Sequence, residues 1–450
     1  MRVIIIMSAP PHTRALTLKS RKKWMKNGTT RTKSPQETLN KITTLSKKIG
    51  VTRLADITHM DILHIPNYSA VLPGTEDYIW VYNGKGQTRA HAKASALMES
   101  IERYTSLPSG APRNFIRGTY DELSKISRVL HPNEVVEPVR FEYRNDMLME
   151  FLGGVDLYSD DQIMVPVPLA LFRYSPKPPV INPFAFHHTN GLASGNVEEE
   201  AICHSLCEVI ERDATSLAEL RASAIPFHFL RYVRNSLTTK GYPISSIPAD
   251  KFMDDAGIFP DVDISEVDFQ PINAMVKKFS VARIPLIIKN ITSDIGIPTF
   301  NASSIEWITN NYGYLTEGHG THPDARIALL RAITEVSQTR AANIQGARDD
   351  LRKIKYRENN TDDKYAWQFM PSNRTIKFSE IKTYINEDIL DDIKIVLNCL
   401  KMAGLKTAII VTLTNDDIGI PVVRAIVPGL ETFKFTKSIM GYRARKYFKN

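Results

Sequence analysis

Cysteine is scarce in this sequence, and the spacing of the few cysteines matches neither a disulfide framework nor a zinc site. Only three cysteines occur in 450 residues, and no two of them form a Cys-x-x-Cys pair. An odd number without such pairs argues against a disulfide framework and against a structural zinc site. We therefore expect a protein of a reducing compartment and place it in the cytoplasm. The three are Cys203, Cys207 and Cys399.

Long apolar runs are also missing. The opening MRVIIIM contains a short one, but Pro10, Pro11 and basic residues follow it closely. This pattern is neither that of a signal peptide nor that of a bilayer-spanning helix, and no later apolar segment is long enough to span. We expect no membrane-embedded segment.

Two familiar phosphate-binding motifs are absent as well. The sequence has no G-x-x-x-x-G-K-[ST] loop and no protein-kinase signature. A nucleotide would therefore be held in another way. Residues 84–86, Gly-Lys-Gly, precede a predicted helix, where backbone N–H groups and the helix dipole favour anions.

The composition that remains is that of a large globular protein. Hydrophobic residues make up 43% and charged residues 24%, and the net charge is +8, with basic residues crowded near both ends. Such clusters attract polyanions, although solvated termini are the interpretation we favour. An RNA-binding module is the rival hypothesis, but the basic residues lack interleaved aromatics, and we expect no nucleic-acid partner.

Helix and strand signals alternate irregularly along the chain. A helix over 34–50 is predicted by Ser34 as cap, Pro35 in the first turn and Glu37 in a capping box. Further helices are predicted over about 87–105, 197–220 and 324–345 and before Gly404. Alternation over 78–82 and 163–167 indicates strands. The pattern predicts an α+β fold, not a series of βαβ units.

Two internal repeats organise this fold. Residues 86–103 and 195–212 share seven identities in one alignment, ending in Glu-x-x-Glu-Arg at 99–103 and 208–212. Asp-Ile-Gly-Ile-Pro occurs at 294–298 and again at 417–421, each time after an apolar run. We expect pseudo-symmetric strand-and-helix halves whose equivalent helices face a common cleft.

The repeated helices carry one polar face each. Ser95, Glu99, Glu102 and Arg103 share a face, and Glu208 and Glu211 lie on the matching stripe. A single helix of this kind would be a solvated surface with i,i+4 ion pairs worth about 0.3–0.5 kcal/mol. Two such helices with the same residues at matching positions favour a functional site over a solvated surface. Carboxylates that meet in a cleft need cations, which indicates Mg²⁺ bridging to nucleotide phosphates.

These motifs resemble the YcaO family. The resemblance rests on GKGQTRAHAKASALMESIERY, TNGLASGNVEEEAICHSLCEVIERDA and HPDARIALLRAITEVSQTRAANIQGARDDL, and extends from about residue 28 to 431. It implies a YcaO-type fold around an ATP cleft. Residues 1–60 would form a basic N-terminal segment contributing to the ATP site, and residues 61–450 the YcaO domain. A homodimer is expected by analogy.

The resemblance also implies roles for single residues. It assigns Mg²⁺ ligation to Glu99, Glu102, Glu200, Glu208 and Glu211. It assigns ATP binding to Ser95, Arg103, Asn196, Arg212, Arg31, Thr38, Gln338 and Arg348. It assigns catalytic roles to Glu102, Glu211 and Arg340.

The resemblance implies ATP- and Mg²⁺-dependent activation of a backbone amide in a ribosomally made polypeptide. The chain ends in Lys449 and Asn450 without a Pro-rich tail, and GTTRTKSPQETL and VPGLE resemble the branch paired with TfuA-type proteins. That branch forms thioamides with external sulfide, including thioglycine in methyl-coenzyme M reductase. An azoline-forming cyclodehydratase and a non-catalytic ATP-binding protein that assists another enzyme remain alternatives.

A few polar residues outside these motifs have two interpretations. Cys203 and Cys207 flank His204, but we expect them to pack in the core as small hydrophobes. His187-His188 and the histidines at 319 and 322 are interpreted as loop residues, with a role in substrate binding left open.

Overall fold

A computed structural model describes residues 16–24, 28–221, 233, 236–237, 239–241, 259–310, 312–347, 356–358, 365–436 and 439–447. The ATP contact predicted for Arg348 lies outside these residues. None of the described helices is both long enough and apolar enough to cross a bilayer.

The helices, in chain order, differ widely in length. They are α1 (Pro35–Lys48), α2 (Arg89–Ser106), α3 (Tyr120–Leu123), α4 (Val167–Ala170), α5 (Glu198–Glu219), α6 (Gln270–Ala282), α7 (Ala325–Gln345), α8 (Ala366–Phe369), α9 (Ile389–Met402), α10 (Phe433–Thr436) and α11 (Tyr442–Tyr447).

The strands form three sheets. They are β1 (Arg53–Asp56), β2 (Asn67–Val71), β3 (Val81–Lys85), β4 (Ile116–Gly118), β5 (Met149–Asp156), β6 (Gln162–Pro166), β7 (Leu192–Ser194), β8 (Asp261–Asp263), β9 (Ile287–Asn290), β10 (Thr299–Trp307), β11 (Tyr312–Thr321), β12 (Tyr356–Glu358), β13 (Thr375–Lys377), β14 (Ile409–Thr412) and β15 (Val422–Ile426). The spatial orders are β1-β2-β3, then β12-β11-β10-β9-β8-β13, then β4-β5-β14-β15-β7, with β6 also paired to β5.

Each long helix of the site packs on one sheet. Helix α2 covers β2 and β3, α7 covers β10 and β11, and α5 covers β7 and β15. Gly84 lets α2 approach closely, because a Cβ there would lie 2.1 Å from the Ala96 nitrogen. Gly320 does the same for α7, since its Cβ would lie 2.0 Å from the Ala328 carbonyl oxygen. The strand faces therefore fix the positions of the three helices.

The predicted α+β fold and its repeats are confirmed. Gly86 and Gly195 each follow a strand and precede a helix, and a Cβ on either would clash with the residue five positions on, His91 or Glu200. Gly296 and Gly419 both have positive φ, 76° and 63°, in turns joining antiparallel strands. The two repeats are thus structural duplicates.

Most local predictions hold within two residues, including the capping box of Ser34 and Glu37. The strand predicted over 78–82 is misplaced, because β3 begins at Val81. Tyr78 lies before it with φ of 61°, in the left-handed region that no strand residue adopts.

Two basic residues of the N-terminal stretch, Arg21 and Lys23, form ion pairs with the fold, which corrects the interpretation of solvated termini for these two. Lys19, Lys22 and Lys33 are exposed, as that interpretation expects. The ammonium of Lys23 lies 2.5 Å from the carboxylate of Asp392, and both side chains are 1% exposed. Arg21 pairs with Glu199 at 3.0 Å. Residues 19–23 therefore dock onto acidic residues near the N-terminal ends of α5 and α9.

Candidate active site

A polar cavity of about 440 Å³ lies between α2, α5, α7 and the segment 28–38. It brings together twelve of the residues predicted for the site. They are Ser95, Glu99, Glu102, Arg103, Asn196, Glu200, Glu208, Glu211, Arg212, Arg31, Thr38 and Gln338. Their placement is that of one site, and the roles assigned to them are taken up as proposals below.

The two repeated helices present the same ion pair to the cavity. Arg103 lies 3.6 Å from Glu99 on α2, and Arg212 lies 3.5 Å from Glu208 on α5. All four side chains line the cavity. The repeat in sequence is therefore also a repeat in charge arrangement, with one carboxylate and one guanidinium group on each helix.

Glu102 carries a strongly perturbed carboxyl group. Burial, together with the negative charge of Glu208, raises the pKa of Glu102 to about 8, although Arg103 acts in the opposite direction. Its Oε2 accepts a hydrogen bond from the Ser194 hydroxyl at 3.0 Å. Near neutral pH this carboxyl group stays mostly protonated unless a cation binds beside it.

Glu211 and Glu335 are neighbours with opposite perturbations. Burial raises the pKa of Glu211 to about 7, helped by the charge of Glu335 and opposed by that of Arg331. Burial acts on Glu335 in the same sense, but the Lys85 ammonium, 2.5 Å away, together with His319 and Arg212 outweighs it, and the pKa of Glu335 falls to about 2. Near neutral pH the Glu335 carboxylate is thus charged, whereas the Glu211 carboxyl group is close to its own pKa.

Glu200 holds the N-terminal segment against α5. Its buried carboxylate accepts hydrogen bonds from the Thr32 backbone nitrogen at 2.5 Å, the Thr32 hydroxyl at 2.6 Å and the Asn196 backbone nitrogen at 2.8 Å. Thr38 donates to the Asn196 side chain at 3.0 Å. The metal ligation predicted for Glu200 would share its oxygens with these donors.

Two arginines converge on His204. Arg31 and Arg331 place Nη2 atoms 2.9 and 3.0 Å from its two ring nitrogens. Burial, then the charges of Arg331 and Arg31, hold the pKa of His204 well below its usual range. A neutral imidazole accepts at one nitrogen only, so one arginine here faces a ring N–H. This concentration of positive charge suits an anion such as a phosphate.

The residues present fit a divalent cation and a nucleotide. Oε2 of Glu211 is buried and has no hydrogen-bond partner within the described part of the chain. Hard carboxylate oxygens of raised pKa are compensated by Mg²⁺, which commonly bridges one or two carboxylates to substrate phosphates. Glu99, Glu102, Glu208 and Glu211 would hold the ion, and the arginines that line the cavity would hold phosphate oxygens.

Arg340 does not line this cavity. Its guanidinium is 3% exposed and pairs with Asp61 at 2.9 Å and with Glu306 at 2.7 Å. Both partners lie on elements outside the cavity wall. The structure therefore does not bring Arg340 together with the other predicted site residues, and its ion pairs tie α7 to the segments that carry its two acidic partners.

Helical spacing predicts two further site residues, whereas two others were missed. Arg331 and Glu335 share a helix face with Gln338, a spacing that predicts additional phosphate or ribose contacts, and both line the cavity. The side chain of Lys85 had no comparable signal, because only the backbone of residues 84–86 was considered. Thr32 gave no signal either, since its contact with Glu200 joins residues 168 positions apart.

The cysteines and histidines outside the repeated motifs occupy several places in the fold. Cys203 and Cys207 are buried, as expected for core packing. His319 belongs to strand β11, which corrects its interpretation as a loop residue, and it contacts Lys434 and Asn301 at 3.1 Å. Cys203, His322 and Asp392 cluster within 4.8 Å, and the Lys23 ammonium already supplies positive charge there.

Comparison with known sequences gives relatives over most of the chain. A protein of Methanothermobacter thermautotrophicus is 34% identical over 418 residues, covering 91% of this chain and 97% of the relative. A protein of Rhizobium leguminosarum bv. trifolii encoded in the tfuA 3′ region is 26% identical over 406 residues, covering 88% of each. Both are described as uncharacterized.

Solved structures share the fold. YcaO from Methanopyrus kandleri bound with AMPPCP and Mg²⁺ matches with a TM-score of 0.65 and 22% identity, over 92% of this chain and 96% of that one. A heterocyclase in complex with substrate and cofactor matches with a TM-score of 0.70 and 23% identity. The alignment covers 93% of this chain, which spans 55% of the heterocyclase.

A sequence model described as "YcaO cyclodehydratase, ATP- and Mg²⁺-binding" matches residues 83–431, which include α2, α5 and α7. Together with the 34% identical relative, this match shows the family. The chain belongs to the YcaO family of ATP- and Mg²⁺-binding proteins.

Proposed function

We propose that this protein uses Mg-ATP to activate a backbone amide of a polypeptide and that sulfide then replaces the amide oxygen to give a thioamide. The observation that carries the proposal is the pair of matching Glu-x-x-Glu-Arg helices, whose Glu102 and Glu211 combine burial with raised pKa values in one cavity. Such carboxyl groups are costly for the fold and become useful when a cation binds.

The chemistry requires a better leaving group than an amide oxygen. When bound, Mg-ATP would supply the γ-phosphoryl group to this oxygen and leave as ADP, and the oxygen would depart as inorganic phosphate as sulfide takes its place on the carbonyl carbon. The chain's own contribution is placement and charge. The ion would be held by four carboxylates, those of Glu99, Glu102, Glu208 and Glu211. The negative charge of the phosphoryl group during its transfer would be neutralised by four guanidinium groups, those of Arg103, Arg212, Arg31 and Arg331.

Other predicted residues would position the nucleotide. Ser95, Asn196, Thr38 and Gln338 line the same cavity with hydroxyl and amide groups. Thr38 and Asn196 already bond each other at 3.0 Å, so the N-terminal helix α1 and the start of α5 form one wall. Residues 28–38 are therefore proposed as part of the ATP site.

One observation favours sulfide as the nucleophile and a TfuA-type protein as partner: a relative that is 26% identical over 406 residues is encoded in a tfuA 3′ region. We propose thioglycine formation in a protein such as methyl-coenzyme M reductase, in the cytoplasm, with the enzyme as a homodimer.

Mass spectrometry of a peptide product tests this function. The protein is incubated with Mg-ATP, sulfide, a TfuA-type partner and a glycine-containing peptide of methyl-coenzyme M reductase. The expected product gains the mass difference between sulfur and oxygen on one glycine. Glu102→Gln should abolish it, and Glu266→Gln, whose carboxylate is 68% exposed, should not.

Other products would change the conclusion. Loss of water without gain of sulfur, on a peptide containing Cys, Ser or Thr, would establish azoline formation. No change in any peptide, together with normal ATP binding, would favour a non-catalytic protein that assists another enzyme. ATP hydrolysis that depends on both peptide and sulfide would support thioamidation independently.

A further inference from the structure

The two repeats contribute equivalent positions to the wall of the cavity. Helices α2 and α5 each follow a strand that ends immediately before a glycine, Gly86 or Gly195. Nine pairs of residues in equivalent positions line the cavity: Asn83 and Leu192, Lys85 and Ser194, Gln87 and Asn196, His91 and Glu200, Ala94 and Cys203, Ser95 and His204, Glu99 and Glu208, Glu102 and Glu211, and Arg103 and Arg212. Because α2 and α5 pack on different sheets, the cavity has two arms that meet at the Glu-x-x-Glu-Arg residues. The first arm is lined by residues 83–91 and the second by residues 192–200.

The N-terminal segment closes the second arm. The Thr38 hydroxyl donates to the Asn196 side chain at 3.0 Å. The Arg31 guanidinium donates to the Ser194 carbonyl oxygen at 3.5 Å. Arg31, Thr38 and Asn196 all belong to the ATP site proposed above, so the nucleotide is assigned to the second arm.

Helix α7 closes the first arm. The Lys85 ammonium lies 2.5 Å from the Glu335 carboxylate, and Gln338 donates to the Asn83 carbonyl oxygen. The charges of Lys85 and Glu335 compensate each other. The remaining titratable group that lines this arm is His91, which is neutral near pH 7 because burial lowers the pKa of its ring. The first arm thus carries no net charge and suits an uncharged polar ligand.

The Lys85 ammonium has N–H donors available for such a ligand. An ammonium has three of them, and within the described residues Lys85 donates to Glu335 alone. The side chains of Lys85 and Glu335 are 21% and 33% exposed, and both line the cavity. A ligand in the first arm can therefore reach Lys85 without breaking its ion pair.

The geometry of phosphoryl transfer decides from which side a polypeptide must approach. This inference rests on the proposed function, in which the amide oxygen attacks the γ-phosphorus of ATP. In such a transfer the attacking and leaving oxygens lie roughly in line, on opposite sides of the transferred group. With the nucleotide in the second arm and its terminal phosphate at the Glu-x-x-Glu-Arg carboxylates, the amide has to approach from the first arm.

We propose that the first arm binds the substrate polypeptide and that Lys85 is a catalytic residue, whose ammonium donates a hydrogen bond to the oxygen of the target amide. As hydrosulfide adds to the carbonyl carbon, the C=O π electrons move to this oxygen, and the ammonium stabilises the negative charge. The oxygen then takes the γ-phosphoryl group, and ADP leaves. The C–O bond breaks, inorganic phosphate departs with the proton of the S–H bond, and a C=S bond remains.

A phosphate group is a less suitable ligand of Lys85 than an amide oxygen. The negative charge of a phosphate would lie beside the Glu335 carboxylate, which is charged near neutral pH, and the two would repel each other. An amide oxygen carries no formal charge at first and gains one only as hydrosulfide adds. The interaction with Lys85 is therefore strongest in the transition state, which is the condition for catalysis.

Variants of Lys85 test the proposal in the peptide mass assay described above. Lys85→Met should lower kcat for thioamide formation about 100- to 1,000-fold, with KM for the peptide nearly unchanged. The affinity for a non-hydrolysable ATP analogue with Mg²⁺, measured by titration calorimetry, should stay within about twofold of wild type. Lys377→Met is the matched control and should behave like wild type, because Lys377 forms an exposed ion pair with Glu266.

A double variant separates catalysis from charge compensation. Lys85→Met alone leaves the Glu335 carboxylate without its partner, which can disturb the cavity by itself. Lys85→Met combined with Glu335→Gln removes both charges. We expect this double variant to melt close to the wild-type temperature and to bind the ATP analogue, while kcat stays as low as in Lys85→Met.

Two results with these variants would overturn the proposal. Recovery of kcat in the double variant would show that Lys85 only neutralises Glu335. A loss of affinity for the ATP analogue by about tenfold or more in both variants would make Lys85 a phosphate ligand.

Failure of the proposed function gives a different result. If wild-type protein forms no thioamide, the proposed function is overturned, and the role of Lys85 with it. If wild type and Lys85→Met form the thioamide equally fast, only the role of Lys85 is overturned and the proposed function stands.

Discussion

Ser194 donates its hydroxyl to Glu102 at 3.0 Å and so joins the strand before the second repeated helix to the first helix. Lys85 holds the equivalent position in the first repeat, one residue before Gly86, and its ammonium binds Glu335 on α7. Each repeat thus uses the last residue of its strand to contact a glutamate on another helix. These two contacts link the strand ends of both repeats to helices α2 and α7, whose carboxylates face the cavity.

Magnesium should bind more tightly as the pH rises. The pKa of Glu102 is about 8, so its carboxyl group must lose a proton before it can ligate a cation. Below that value the affinity for Mg²⁺, measured with an ATP analogue present, should rise about tenfold per pH unit. Titration calorimetry in two buffers of different ionisation enthalpy measures both the affinity and the released proton.

Glu102→Gln is the control for this pH dependence. It removes the titrating group, so binding should be weaker and the proton released by this group should disappear. A wild-type affinity that stays constant between about pH 6 and 8 would contradict the assignment of Glu102 as a ligand whose pKa is raised.

Stability without metal should change with pH in the opposite direction. A carboxyl group whose pKa is raised on folding favours the folded state when protonated, and this contribution is lost as the pH rises through about 7 for Glu211. Glu211→Gln keeps a neutral side chain at every pH. We expect it to melt at or above the wild-type temperature near pH 8 without Mg²⁺, while ATP-dependent activity falls at least about 100-fold.

The melting temperatures of wild type and of Glu211→Gln are compared with and without Mg²⁺. The ion should raise the melting temperature of wild type at high pH and have little effect on Glu211→Gln, as followed by scanning calorimetry. A variant that is less stable than wild type at every pH would show that the Glu211 carboxylate serves the fold and not the cation.

Arg340→Met should destabilise the protein without changing its chemistry. Removal of the guanidinium leaves Asp61 without its partner in a buried position, and such a loss costs about 3–5 kcal/mol. Urea unfolding should show this decrease, and kcat of the folded fraction should stay near the wild-type value. A fall in kcat at unchanged stability would support the catalytic role that the resemblance implies for Arg340.

The positions of Gln338 and Arg340 in the structure show how far helical spacing predicts which residues reach the site. Both were assigned to the site from the same stretch of helix, yet residues two apart do not share a helix face. Gln338 reaches the cavity and donates to the Asn83 carbonyl, whereas Arg340 points to Asp61 and Glu306. Helical spacing alone predicts that these two side chains point in different directions, but the family resemblance assigned both to the site.

Other features depended on contacts that no local pattern encodes. The capping box at Ser34 and the repeated Glu-x-x-Glu-Arg helices are short-range patterns, and these were predicted correctly. The pairing of Lys85 with Glu335 and of Thr32 with Glu200 joins residues 250 and 168 positions apart. Such pairs arise from sheet topology, which the irregular order of strands did not reveal.

Lys23 and Asp392 should prove essential for holding the N-terminal segment against the ATP site. Their 2.5 Å ion pair is buried, so Lys23→Met should leave an uncompensated carboxylate and cost about 3–5 kcal/mol in urea unfolding. Since residues 28–38 line the cavity a few positions further on, KM for ATP should also rise.

A second substitution distinguishes the lost charge from lost packing. Lys23→Met combined with Asp392→Asn removes both charges, so it should recover most of the stability that the single change loses. Lys394→Met is the matched control, because Lys394 is 65% exposed and pairs with Asp391 on the same helix, where loss of the pair costs less than about 1 kcal/mol. If Lys23→Met were as stable as Lys394→Met, the segment would be held by its backbone hydrogen bonds, such as that from the Lys23 nitrogen to the Glu387 carbonyl at 2.9 Å, and not by the buried charge.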